Sequence, residues 1–304
     1  MGDRPRELDR AVASVLAQRG DPVEVVVVVN GGPMGGPVGG PVGGPVPGPV
    51  PTVPTPRRPD GVPVLPPEVV VVPLPTNVGI PAGRNRGVEA AAGDVVLFLD
   101  DDGWLVGTSA AERVRAAFAG EADLGVVSFQ ITDPDGGPGQ RRHVPRLRAG
   151  DPERSSEVTT FLGGACAVRR AVFDRCGGLP EHFRYAHEET DLAWRALDAG
   201  FRLRYDAGVQ MHHPAVAPHR HPEFFRLNAR NRVWLARRNL PWPLAACYLV
   251  DWVVLTVARE RSVSALAAWA RGFAEGWCSP SGPRRPMRWA TAARMARLGR
   301  PPVI

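Results

Sequence analysis

The sequence contains no lysine: all 37 basic residues are arginine. Asparagine and isoleucine are scarce as well. That pattern marks genome composition rather than selection for phosphate contacts, so the net charge of +6 does not by itself indicate nucleic acid. No nucleic-acid-binding motif is present, and no nucleic-acid partner is expected. Cysteine is also rare. Cys166, Cys176, Cys247 and Cys278 show no metal-ligand spacing and are too few to staple 304 residues. They read as reduced thiols, which points to a cytoplasmic protein. The opening MGDRPRELDR lacks the apolar core of a signal peptide. The longest apolar run, Leu244 to Ala258, has 15 residues interrupted by Asp251, short for a bilayer span. It is expected as a buried or interfacial helix. The composition, 44% hydrophobic and 22% charged, excludes a collagen, a coiled coil and a disulfide scaffold. One large domain or two ordinary ones remain.

What is present alternates between strand and helix patterns. Residues 7–18 place Leu8, Val12, Val15 and Leu16 on one helical stripe. Val23 to Val29 is a nearly pure valine run closed by Asn30-Gly31-Gly32, the mark of a strand covered on both faces. Residues 33–66 are a degenerate Gly-Gly-Pro-Val repeat that can neither fill a core nor form a ladder, so they read as a disordered insertion. Strands are then expected at 68–73, 95–99, 125–130, 159–168 and 201–205. Helices are expected at 82–92, 109–119, 169–176 and 188–199, with helices from 222 onward. The loops at 132–158 and 214–222 carry no readable code. This order predicts an α/β protein with a mostly parallel, Rossmann-like sheet and a helical C-terminal extension.

Three adjacent carboxylates, Asp100-Asp101-Asp102, close a buried strand. Their repulsion must be relieved by protons, arginines or a metal, and ligands of open α/β sheets bind at carboxyl strand ends. A divalent cation with oxygen ligands, Mg2+ or Mn2+, suits them. Four apolar residues before Asp100-x-Asp102-Gly103 also resemble the nucleophile motif of haloacid-dehalogenase phosphatases. Such enzymes place the motif on an early strand and use a downstream lysine or arginine with a second acidic cluster; here about a hundred residues with two strands precede the triplet, and there is no lysine.

Asn77-Val-Gly-Ile-Pro-Ala-Gly-Arg-Asn-Arg-Gly87, taken with Asn30-Gly-Gly and the Asp triplet, resembles the family 2 glycosyltransferases of the GT-A fold. Phe161-Leu-Gly-Gly-Ala-Cys-Ala-Val-Arg169 resembles that family's acceptor-side strand. Gly177-Gly-Leu-Pro-Glu-His-Phe183 and Glu188-Glu-Thr-Asp-Leu-Ala-Trp-Arg195 resemble its G-G-F-D-E-x-F and E-D-x-D-L-x-x-R signature. The motifs stand in family order over roughly residues 3–240.

The resemblance implies inverting, metal-dependent transfer of a sugar from a nucleoside-diphosphate sugar to a hydroxyl acceptor. It implies a GT-A domain over 1–230 and a helical extension over 231–304. It places Asn30, Asn77, Gly79, Arg84, Asn85, Asp100, Asp101, Gly163 and Gly164 around the donor. It places Asp100 and Asp102, with His212 and His213, around Mg2+ or Mn2+. Glu189 stands where the family has its general base, with Glu188 as the alternative and Asp191 as a brace. The family's opening strand is missing before Gly2-Asp3-Arg4-Pro5, so either a start lies upstream or the chain is a partner-binding relative of low activity. The tail RRPMRWATAARMARLGR puts Met287, Ala290, Met295 and Leu298 near one helical face among arginines. Such a face suits peripheral contact with the inner face of the cell membrane, or packing on the catalytic domain.

Overall fold

The computed structural model describes residues 5–31, 65–136, 143–146, 151–214 and 223–303. The Gly/Pro insertion and parts of the loops at 132–158 and 214–222 lie outside them. The helix α1 (Pro5–Leu16) leads into β1 (Val25–Asn30), which pairs in parallel with β2 (Val69–Leu74). Then follow α2 (Ile80–Ala90), β3 (Val95–Leu99), the short β4 (Trp104–Leu105), α3 (Ala110–Gly120) and β5 (Leu124–Thr132). The two-residue β6 (Ser156–Glu157), β7 (Ala165–Arg169), α4 (Arg170–Cys176), α5 (Glu188–Asp198) and β8 (Arg202–His212) complete the sheet region. Four helices close the chain: α6 (Phe224–Asn239), α7 (Trp242–Arg259), α8 (Val263–Cys278) and α9 (Trp289–Arg297).

The larger sheet has the order β3-β7-β5-β8-β4, with β6 on β8. Its longest ladder, β5 with β8, is parallel, as is β1 with β2. β7 runs antiparallel between β3 and β5, and β4 and β6 run antiparallel to β8. Alternation along β7 fixes the two faces. Ala165 and Ala167 join Phe118 and Phe129 on one side, and Cys166 and Val168 join Leu192 and Trp194 on the other.

Among the described residues, β1 pairs only with β2, and β3 pairs in its sheet only with β7. Asn30 at the end of β1 and Asp100 just past β3 both lie against the first half of α2, through Gly83 and Arg84. The described strands thus form two sheets, β1–β2 and the larger one, both reached by α2. All five residues of β3, Val-Val-Leu-Phe-Leu, keep partial exposure despite helices over both faces.

Two strand bounds are corrected. The strand expected at 159–168 begins only at Ala165, because Leu162 to Ala165 make a turn through Gly163 and Gly164. The strand expected at 201–205 continues to His212, along an alternation of Leu203, Tyr205, Ala207, Val209 and Met211 with polar residues and Gly208. Of the two readings of the tail helix, membrane contact and packing on the catalytic domain, the second holds. Met287 and Met295 are buried in the core beside Leu197 and Tyr248, and Thr291 donates to Asp198 Oδ1 at 2.6 Å. A boundary after residue 230 falls inside α6, whose Val233, Leu235 and Ala236 share a core with the sheet's Val126 and Tyr205.

Since Met295 is 1% exposed, Met295→Ala should cost about 2–5 kcal/mol of unfolding free energy. Urea denaturation checks this; a loss under ~0.5 kcal/mol would mean α9 is only loosely attached.

Candidate active site

The site forms where α2, the turn after β3, the 162–165 turn and the start of α5 converge. Arg84 is its centre. Nη2 donates to Asp100 Oδ1 at 3.0 Å and Nη1 donates to Glu188 Oε1 at 3.2 Å. One guanidinium fork thus joins the strand-end acid to the helix-start acid. Burial opposes the charge of Arg84, but Asp100 and Glu188 outweigh it and hold its pKa above the ordinary value.

The two glycines of the 162–165 turn make this possible. A Cβ on Gly163 would meet the Arg84 guanidinium, and one on Gly164 would fall inside the Asp100 carboxylate. The Gly164 carbonyl also accepts from the Asp100 N–H at 3.3 Å. Gly79, with φ +91°, starts α2 where any side chain would strike the Arg184 backbone.

Asp100, Asp102 and His213 each place one ligand atom within 4.8 Å of the others. His213 Nε2 stands 3.2 Å from Asp102 Oδ1. Burial works against the imidazolium, yet Asp102 and then Asp100 raise His213 above the usual imidazole value. Two hard carboxylate oxygens and an imidazole nitrogen suit a divalent cation such as Mg2+ or Mn2+. His212 does not join them. It follows the pleat to the other side, with Nδ1 2.8 Å from Thr132 Oγ1 and its ring against Trp104. Asp101 is partly exposed between the two ligand candidates.

Glu188 and Glu189 open α5, where the helix dipole favours carboxylates. Glu188 is 3% exposed, and its Oε2 is buried with no hydrogen-bond partner among the described residues. Glu189 is pushed up to about 8, by burial first and by the Glu188 charge second. Burial raises Glu188 too, but Arg84 works against it. The pair therefore holds one carboxylate bound to Arg84 and one proton-accepting group poised near neutrality.

Asp191 has no such freedom. Its Oδ2 accepts from Arg195 Nε at 2.8 Å, and its Oδ1 accepts from Arg238 Nε at 2.9 Å and Asn239 Nδ2 at 2.7 Å. Burial alone would raise its pKa; Arg195 and Arg238 hold it below the usual carboxylate range. Fully buried, Asp191 ties α5 to α6.

The loop before α5 is strained: Arg184, Ala186 and His187 all have φ between 60° and 70°. Asn231 on α6 holds it by donating from Nδ2 to the carbonyls of Phe183, Tyr185 and Ala186 at 2.7–3.0 Å. Arg230 donates to the Phe183 carbonyl as well. Sequence analysis missed Asn231, Arg238 and Asn239. The available signal was compositional: three of only six asparagines lie on α6.

The asparagines expected at a ligand hold backbone. Asn30 Nδ2 donates to the Gly79 carbonyl, and its Oδ1 accepts from Val78 N–H, each at 2.9 Å. Asn77 Oδ1 accepts from Gly79 N–H. Asn85 binds both N–H and C=O of Leu179 and so joins α2 to the 177–183 loop. These contacts shape the loop that starts α2 and thereby position Arg84.

Residues 60–177 match the family described as Glycosyl transferase family 2. This segment thus resembles a family 2 glycosyltransferase domain, and the chain has a GT-A fold. The phosphatase reading of Asp100 is set aside. Across 215 residues the chain is 28% identical to a "Pre-mycofactocin glycosyltransferase" of Mycobacterium tuberculosis, covering 66% of this chain and 42% of that protein. It is 28% identical over 156 residues to "O-antigen chain rhamnosyltransferase WbaN" of Salmonella anatum, covering 48% of each. The chain spans less than half the length of these relatives. In three dimensions it resembles S. aureus TarS with a TM-score of 0.54 at 17% identity, over 96% of this chain and 48% of that one.

Two outcomes test the site's electrostatics. Gly164→Ala should displace the Asp100 carboxylate and weaken Mn2+ binding about tenfold or more, measured by calorimetry, since ligand-positioning groups carry that much affinity. Glu189→Gln should raise Tm at pH 7. Because Glu189 titrates above its unfolded value, folded-state stability falls as pH rises from about 4.3 towards about 8. The gain should vanish near pH 4. A Tm gain unchanged between these pH values would refute a raised pKa.

Proposed function

We propose that the chain transfers a glycosyl group from a nucleoside-diphosphate sugar to a hydroxyl acceptor with inversion. The observation that supports this most is the Arg84 bridge, which sets a two-carboxylate, one-imidazole cluster beside buried Glu188 and half-buried Glu189. The donor lies along the Asn30, Asn77, Gly79 and Asn85 loop and the Gly163-Gly164 turn, its diphosphate toward Asp100, Asp101 and Arg84. Asp100, Asp102 and His213 would hold a divalent cation, Mg2+ or Mn2+, which when bound neutralises charge on the departing diphosphate.

Glu189 takes the proton of the acceptor hydroxyl at its carboxylate. The acceptor oxygen attacks the anomeric carbon on the face opposite the diphosphate, and the bond from that carbon to the diphosphate oxygen breaks. The electron pair leaves with the nucleoside diphosphate. Glu188, bound to Arg84, keeps its charge and raises the basicity of Glu189. Four cysteines without disulfides are in keeping with a cytoplasmic setting.

Glu189→Gln should retain Mn2+-dependent nucleotide-sugar binding and lose transfer about 10²–10⁴-fold. Asp102→Ala should lose the metal-dependent part of donor binding while the fold survives. If Glu188→Gln alone shows the transfer loss, the base is Glu188. If donor binding is absent or equal in wild type and Asp102→Ala, the chain is a partner-binding relative.

A further inference from the structure

The run expected to be buried or interfacial forms α7, and only 17% of its 18 residues are buried. Its inner face is fixed. Ala245, Tyr248 and Leu249 enter the core, and Tyr248 Oη accepts from Arg232 Nη1 at 3.1 Å. Its outer face carries Ala246, Val250, Val254 and Val257, spaced three and four residues apart along one stripe. The three valines are 60%, 59% and 62% exposed. Asp251, the one acidic residue of α7, is half-buried beside the stripe. A surface helix normally turns its polar face outward; α7 does the reverse over more than three turns.

The neighbouring helix does the same. α8 exposes Ala267, Ala270, Ala274 and Trp277, with Arg271 among them. Between the two helices lies an apolar cleft of about 370 Å³, lined by Trp242, Leu249, Val253, Phe273 and Trp277 among others. Arginines surround this surface. Arg284 stacks 4.0 Å from the Trp242 ring centre at one end of α7, and Arg259 and Arg261 are exposed at the other. Residues 223–304 hold fourteen arginines against four acidic residues, whereas the rest of the chain is net acidic. Trp242, Trp277 and Trp289 are 57%, 46% and 58% exposed.

We propose that the α7–α8 face docks on an anionic lipid surface. Smooth aliphatic stripes, exposed tryptophans and a cationic rim are the combination that inserts side chains to the acyl boundary while guanidinium groups meet lipid phosphates. Tryptophan rings backed by arginine suit the headgroup layer. α7 lies on this surface rather than crossing it, because its inner face is committed to the core. The membrane contact expected of the C-terminal helices thus falls on α7 and α8, whereas α9 packs Thr291, Ala292 and Met295 against the core. This proposal does not depend on the reaction at the strand ends, so the two fail separately.

The test is co-sedimentation of the full chain with vesicles of phosphatidylcholine alone or mixed equally with phosphatidylglycerol, at low and high salt. Wild type should sediment with the mixed vesicles, less so at high salt and weakly with phosphatidylcholine alone. Val250→Asp with Val254→Asp should reduce binding about tenfold or more, with Tm unchanged because both side chains are exposed. Arg259→Glu with Arg261→Glu should reduce the salt-sensitive part. Wild type remaining in the supernatant with mixed vesicles at low salt overturns the proposal. So does a valine variant that binds like wild type. Concentration-dependent self-association in the ultracentrifuge, lost in the valine variant and without vesicle binding, would assign the face to a second copy of the chain instead.

Discussion

The site depends on one half-buried cation, Arg84. Asp100, Asp102, Glu188 and Glu189 would repel one another strongly in a half-dry cleft. Arg84 holds one oxygen from each side of this group and lets the strand end and the helix start approach. A lysine in its place could offer charge but not a planar fork with two directed donors. The surroundings follow from that requirement. Gly163 and Gly164 are empty of side chains where Arg84 and Asp100 pass, and Asn30 and Asn77 shape the turn that launches α2.

The second half of the site is held from behind. Asn231, Arg238 and Asn239 reach from α6 to the strained 184–187 backbone and to Asp191. A left-handed run of non-glycine residues costs of order 1–3 kcal/mol for each residue, and three carbonyls gripped by one amide help offset it. This grip aims Glu188 inward. It also ties α6 directly to the site. The weak point lies elsewhere. β1 and β3 each expose one edge, and no strand among the described residues joins them, so the small β1–β2 sheet is tied to the rest chiefly through α1 and α2.

Much of this was legible in the sequence because it rests on local signals. Valine runs ending in Asn or Asp gave β1 and β3, and the N-x-G and R-N-x-G spacing of residues 77–87 gave the turn into α2 and Arg84. What was not legible depends on contacts between distant segments. Nothing near Gly163 says that its missing side chain makes room for Arg84. Nothing near Asp191 says that Arg238 and Asn239 saturate it. His212 and His213 look equivalent in sequence, and only the pleat of β8 sends one to the carboxylates and the other to Thr132. For the tail helix and the apolar run the sequence left two readings open, since amphipathic spacing alone does not say whether the apolar face meets a core or remains outside. Met295 met the core; Val254 remained outside.

The central claim is that Arg84 joins a donor-binding carboxylate cluster to a base in one working site. Release of free nucleotide from a panel of nucleotide-sugars in the presence of Mn2+, compared between wild type and Arg84→Met, tests it without knowledge of the acceptor. The account predicts release from at least one donor by wild type, and its loss in Arg84→Met even where circular dichroism shows the fold retained. Equal release by a folded Arg84→Met, or none from any donor by wild type, would contradict it.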